Sequence, residues 1–144
     1  MLRMRGYQAG HDEKVGGHSD IVVRHKKGYL WLGESKIHAD YDYLLKGFQQ
    51  LCTRYAPGGP NTSEGGLLIF VKGKDCAGVV EEWRKRLKDH GLVDFADVDC
   101  IDRAGLAFFS THKHTESGLS MRVRHLGVIQ GWNPQDRRGG KKTT

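Results

Sequence analysis

Two short apolar runs dominate the first quarter of the chain: Ile21-Val22-Val23, led by Asp20, and Tyr29-Leu30-Trp31-Leu32, trailed by Gly33-Glu34-Ser35-Lys36. Their β-branched and aromatic content predicts strands over 19–25 and 29–37. The intervening Lys26-Lys27-Gly28 has the form of a three-residue hairpin loop with glycine at its left-handed position. That loop pairs His25 with Tyr29, Val23 with Trp31 and Asp20 with Glu34. A two-residue loop would slip the register by one and turn Asp20 away.

Downstream, Tyr41, Leu44, Leu45, Phe48, Cys52 and Tyr55 recur at helical spacing and predict a helix over 40–56, with Asp40 as its N-cap. Pro57-Gly58-Gly59-Pro60 ends it. The continuous apolar run 66–71 predicts a central strand covered on both faces. Val79, Val80, Trp83, Leu87 and His90 mark a second helix, stopped by Gly91. Strand-like stretches follow near 93–101, near 106–112 and at 119–129, with a turn at 115–118. Residues 1–17, with Gly6, Gly10, Gly16 and Gly17, predict loop with at most a short helical turn. The fold class is α/β, a mixed central β-sheet flanked by helices in the order β-β-α-β-α-β-β.

Composition narrows the function classes. A chain of 144 residues with 38% apolar content suits one domain, expected over 1–132, with a basic disordered tail over 133–144. No apolar stretch approaches the ~20 residues of a membrane span. The start lacks a secretory signal, so the expected location is cytoplasmic and no membrane partner is expected. Cys52, Cys76 and Cys100 lack both disulfide-framework and zinc-site spacing and are expected as packed thiols. A net charge of +6 favours polyanionic partners.

Glu34 and Lys36 are two apart on a strand and project to one face. In the three-residue-loop register Asp20 joins them, its Cβ only about 4.5–5.5 Å from that of Glu34. Two carboxylates at that separation repel unless a cation lies between them. Magnesium or manganese suits such a pair, with the Ser35 backbone carbonyl as a further ligand. Lys36 would then orient a water or stabilise charge developing on a scissile phosphate. The bland reading of the same triplet is a solvated ion pair on a strand face, worth little.

Gly17-His18-Ser19-Asp20-Ile21-Val22-Val23 and Leu32-Gly33-Glu34-Ser35-Lys36-Ile37 resemble the PD-(D/E)XK nuclease superfamily, which includes the restriction endonucleases. The resemblance runs from residue 17 to about 71, and Ser19 stands where the family pattern has proline. It implies a restriction endonuclease-like fold and metal-dependent hydrolysis of nucleic acid, DNA before RNA. Asp20 and Glu34 would be the metal ligands and Lys36 the catalytic lysine. Many members carry a further glutamate on an N-terminal helix; here the nearby glutamate is Glu13, and Gly6 and Gly10 speak against a long helix. The recombination-exonuclease branch places a glutamine, then a tyrosine four residues on, along the following helix. Gln50 fits the wording, Tyr55 falls one residue late, and the helical wheel prefers Gln49 as the site-facing amide.

His18 is set opposite Lys36 by the same register, and His38 follows the strand end near any bound phosphate. His112 and His114 are expected on the hairpin surface. Lys113, Arg122 and Arg124 form a candidate phosphate-tracking strip, or a solvated strand face. Sequence specificity is expected from a homodimer or a larger protein partner. The alternative to an enzyme is a non-catalytic basic nucleic-acid-binding or assembly module that retains the nuclease-like fold.

Overall fold

The computed structural model describes residues 7–14, 18–25, 28, 30–55, 59–60 and 63–136; for 7–14, 18, 19, 25, 54 and 55 it describes the backbone alone. The strands are β1 (Tyr7–Lys14), β2 (His18–His25), β3 (Leu30–Ile37), β4 (Glu64–Val71), β5 (Ala96–Asp99), β6 (Ala107–Lys113) and β7 (Ser120–Ile129). The helices are α1 (Tyr41–Gln49), continued by a π-helical segment Gln50–Tyr55, and α2 (Cys76–Asp89). Among the described residues these strands make one mixed seven-stranded sheet in the order β1-β2-β3-β4-β7-β6-β5. Strands β3, β4 and β7 run parallel at its centre, and antiparallel pairs extend both edges.

The observed order, β-β-β-α-β-α-β-β-β, has one strand more at the N-terminal end, and all three strand-like stretches expected after the second helix form strands. Residues 7–14 were expected as loop; they form an edge strand paired along its length with β2. Its sequence, Tyr-Gln-Ala-Gly-His-Asp-Glu-Lys, has no apolar alternation. Such a strand is specified by the hydrogen-bonding edge of its neighbour and carries no burial pattern of its own. The stretch expected near 93–101 shortens to the edge strand β5. Arg84 of α2 pins it, with Nε donating to Asp97 at 2.6 Å and Nη1 to Asp99 at 2.7 Å.

Both helices lie on the same face of the sheet. Cross-strand partners share a face, so Glu34, Leu67 and His125 stand together across β3, β4 and β7. Phe48 of α1 and Trp83 of α2 both pack on His125. The core fills the space between, with Leu32, Leu44, Leu51, Leu67, Ile69, Val80 and Leu87 buried. The expectation that β4 is covered on both faces is therefore corrected. Leu67 and Ile69 are buried beneath the helices, whereas Leu68 and Phe70 on the other face are half-buried. Across that open face the Trp31 indole covers Gly66, where a Cβ would collide with its ring. Among the described residues, no helix is long and apolar enough to cross a membrane. The three cysteines are buried and free.

His125 is fully enclosed at the centre of the helix–sheet interface. The Trp83 indole N–H can only donate, so Nδ1 of His125 accepts it at 3.0 Å. The ring proton then sits on Nε2 and is donated to the Ser110 hydroxyl at 2.8 Å. Phe108 stacks on the imidazole at 4.3 Å. Burial, followed by the fields of His112 and Arg84, pushes its pKa down from 6.5 to about 3. A depressed pKa contributes stability above 6.5 that is lost as pH falls toward 3. His125→Gln can accept from Trp83 and donate to Ser110 without titrating, so its unfolding free energy should vary less steeply than wild type between pH 6.5 and about 3. Denaturant unfolding at stepped pH measures both slopes, and equal slopes would contradict the buried neutral imidazole.

Candidate metal and phosphate site

The β2–β3 hairpin has the register expected from its loop. Val23 pairs with Trp31 and Ile21 with Gly33, and Gly28 takes φ 92°. Lys26 and Lys27 of that loop, and Tyr29, the expected partner of His25, lie outside the described residues. The ladder stops at Ile21–Gly33, one position short of Asp20 and Glu34. Beyond it the Asp20 carboxylate takes over: its Oδ2 accepts the Ser35 backbone N–H at 2.8 Å and the Ser35 hydroxyl at 2.9 Å. Within a strand, a residue's N–H and C=O point toward the same neighbour. The Ser35 carbonyl therefore faces the Asp20 side, as a ligand role requires.

Glu34 is only 3% exposed. Its Oε2 accepts from Lys36 Nζ at 3.1 Å, while its Oε1 is buried with no hydrogen-bond partner. Burial raises the Glu34 pKa above 4.5, the Lys36 hydrogen bond opposes that rise, and the Asp20 charge adds to it. Asp20 is thus close enough for its charge to be felt at Glu34. The Lys36 pKa is raised as well: burial acts against the charged form, but the contact with Glu34 and the fields of Tyr43 and Asp20 together outweigh it. The ammonium also sits over the Tyr43 ring, 4.9 Å from the centroid.

Helix α1 roofs this cluster through one stripe. Its Asp40 cap accepts the Tyr43 N–H at 2.8 Å, as the sequence predicts. A Cβ at Gly47 would come within 2.8 Å of Lys36 Cγ, so the missing side chain admits the lysine beneath the helix. Tyr43, Gly47 and Gln50 follow the i, i+4, i+7 spacing of one helix face. The Oε1 of Gln50 is a second buried acceptor without a partner. Gln49, the amide preferred from the helical wheel, instead lines a separate cavity beside His112. The wheel measured angles from the whole apolar stripe, which serves two neighbours, β3 on one side and α2 on the other. Tyr43 and Gly47 were missed in the sequence. The available signal was a lone glycine inside a helical pattern, a residue that weakens a helix and leaves room for a close neighbour.

The remaining candidates are dispersed. His38, just past β3, donates its backbone N–H to Phe70 at 2.9 Å; its Nδ1 is buried without a partner and its ring lies 4.8 Å from Tyr41. Glu13 and His18 occupy β1 and β2, paired with Ser19 and Lys14, and Tyr55 ends the π-helical segment. The side chains of all three lie outside the described residues. Arg122 and Arg124 flank Phe109 at 4.0 and 5.7 Å on the open face of the sheet. Alternation from His125 puts them on the face opposite Glu34, so with Lys113 they make no strip leading to the carboxylates. His112 and His114, expected on the surface, are buried at 6% and 4% exposure.

Among the described residues no three His, Cys, Asp or Glu side chains converge as a metal-ligand set. What converges is a carboxylate pair with a carbonyl beside it and one unsatisfied buried oxygen. That set fits magnesium, which keeps several waters and takes one or two carboxylates plus substrate phosphate. The largest influence holding the Glu34 pKa down is its Lys36 hydrogen bond. Lys36→Met should therefore raise that pKa further, which a carboxyl-carbon NMR titration reads directly. A fall, or no change, would contradict the Glu34–Lys36 contact.

Compared with known proteins, the chain matches no family model, no curated protein and no solved structure.

Proposed function

We propose that this chain is a divalent-metal-dependent nuclease that hydrolyses phosphodiester bonds of nucleic acid, with DNA the favoured substrate. The observation that carries the reading is the Glu34 carboxylate. It is buried beside Asp20, with Lys36 on one oxygen and nothing on the other. A solvated ion pair, the bland alternative, would not be 3% exposed. Magnesium or manganese would be held by Asp20, Glu34 Oε1 and the Ser35 carbonyl. When bound, such an ion neutralises phosphate charge and lowers the pKa of a coordinated water.

The chain's own residues supply the rest. Ser35 anchors Asp20 through two hydrogen bonds, fixing the carboxylate's direction. Lys36 is held protonated by Glu34 and, once that carboxylate engages a cation, can orient a water or meet charge growing on the phosphate. Burial excludes bulk water and strengthens each of these interactions. Gln50 supplies a further acceptor from the roof. The π-helical segment supports a likeness to the recombination-exonuclease branch of the PD-(D/E)XK superfamily. A π-turn closes after five residues where an α-turn closes after four. Tyr55, one residue late by sequence, thus stands one turn beyond Gln50 along the backbone.

Glu34→Ala and Asp20→Asn should each lower magnesium-dependent cleavage by ~10²–10³-fold or more. Magnesium should raise the melting temperature of wild type but not of Glu34→Ala. A panel of single- and double-stranded DNA and RNA, with magnesium, manganese or EDTA, reads the activity; differential scanning fluorimetry reads the metal. Undiminished cleavage by the purified variants would overturn the reading. Salt-sensitive binding by wild type without cleavage under either metal would instead favour a non-catalytic nucleic-acid-binding module.

A further inference from the structure

We propose that the cavity between α1, the C-terminal end of α2 and the β6–β7 turn is a nucleobase pocket that takes one unstacked base of the nucleic-acid strand. The cavity measures about 660 Å³, within the range of small-molecule sites. Phe48, Cys52 and Leu92 form its apolar wall, and Gln49, Thr53 and His112 bring polar groups to it. His112 is 6% exposed, and its Nδ1 is buried with no hydrogen-bond partner. Leaving such a nitrogen bare is costly, so a ligand that satisfies it is favoured.

The chemistry of the lining selects the ligand. Burial, then the neighbouring His114, lowers the His112 pKa and keeps the ring neutral. A neutral imidazole and the Gln49 amide both offer donors and acceptors without charge. The Phe48 ring lies 5.6 Å from His112 and closes the apolar floor of the cavity beside it. A flat heteroaromatic with mixed donor and acceptor edges matches this combination. An aliphatic ligand would leave His112 and Gln49 unsatisfied. His114 is already engaged, its Nδ1 accepting the backbone N–H groups of Glu116 and Ser117 at 3.2 and 3.3 Å. Burial also pushes the Cys52 thiol far above its ordinary pKa, so it acts as wall and not as nucleophile.

The pocket and the carboxylates lie on two sides of α1. Gly47 faces Lys36, whereas Phe48, Gln49 and Cys52 face the cavity. A helix with its side chains is ~10–12 Å across, about three nucleotides at ~3.4 Å each along a stacked strand. A strand with one phosphate at Glu34 would thus present a base to the pocket a few nucleotides away. This placement on a strand rests on the nuclease reading; the recognition of a base by the cavity does not.

The test separates the two. The full chain carrying Glu34→Gln, in EDTA, is titrated with free adenosine and thymidine by NMR and with a short 2-aminopurine-labelled single strand by fluorescence. His112→Leu and, at the mouth, Gln49→Met should each weaken nucleoside binding and base quenching by about tenfold. Melting temperature and near-UV circular dichroism establish that each variant is folded; Gln49→Met, at the mouth, keeps the test valid should His112→Leu fail to fold. Nucleoside-induced shifts should map to Phe48, Leu92 and His112. Shifts elsewhere, or binding unaltered in both variants, would overturn the pocket even if wild type cleaves DNA. Nucleosides bound in the pocket of a protein that cleaves nothing would uphold it and overturn the nuclease reading instead.

Discussion

A carboxylate taken out of water with one oxygen left bare is the constraint around which the end of β3 is organised. Burial disfavours the Glu34 charge, and Asp20 beside it disfavours that charge further. Lys36 answers one oxygen and is itself drawn under α1, which is possible because residue 47 has no side chain. Asp20 is held in turn by Ser35, where the β2–β3 ladder has ended. The premature end of the ladder is part of the design: it releases backbone groups of β3 that an intact hairpin would consume.

The rest of the sheet supplies the rigidity that such a group needs. Helices α1 and α2 share one face and meet over His125, whose neutral ring joins Trp83 to Ser110. That buried polar bridge fixes α2 over β7 and β6, while Phe48 ties α1 to the same ring. The pose of α1 over β3 follows, and with it the positions of Tyr43 and Gly47 above Lys36. One core contact network thus sets both sides of α1, the carboxylate side and the cavity side.

Much of this was legible in the residues. The Lys26-Lys27-Gly28 loop specified the register that the structure has, because glycine is tolerant of the left-handed conformation a three-residue loop requires. Asp40 capped α1 as its side chain predicts. The strand β1 was not legible, since its pairing comes from the edge of β2 and its own side chains carry no alternation. The choice between Gln49 and Gln50 failed for a related reason. A helical wheel ranks angles about one axis, and α1 packs against two different elements while passing into a π-turn at the residues in question. His112 and His114 were misplaced because a polar strand end reads as exposed unless one knows that a helix terminus folds over it.

By itself the sequence determined the hairpin, the start of α1 and the grouping of Asp20, Glu34 and Lys36, because turn chemistry, caps and strand alternation act over a few residues. Only the tertiary structure decided that the Glu34 carboxylate is buried with one oxygen unanswered. It alone put both helices on one face and the arginine pair Arg122 and Arg124 on the other. Burial and facing are properties of what packs against a strand, and the packing partners come from other elements, among them α1, β4 and β7, beyond any local pattern.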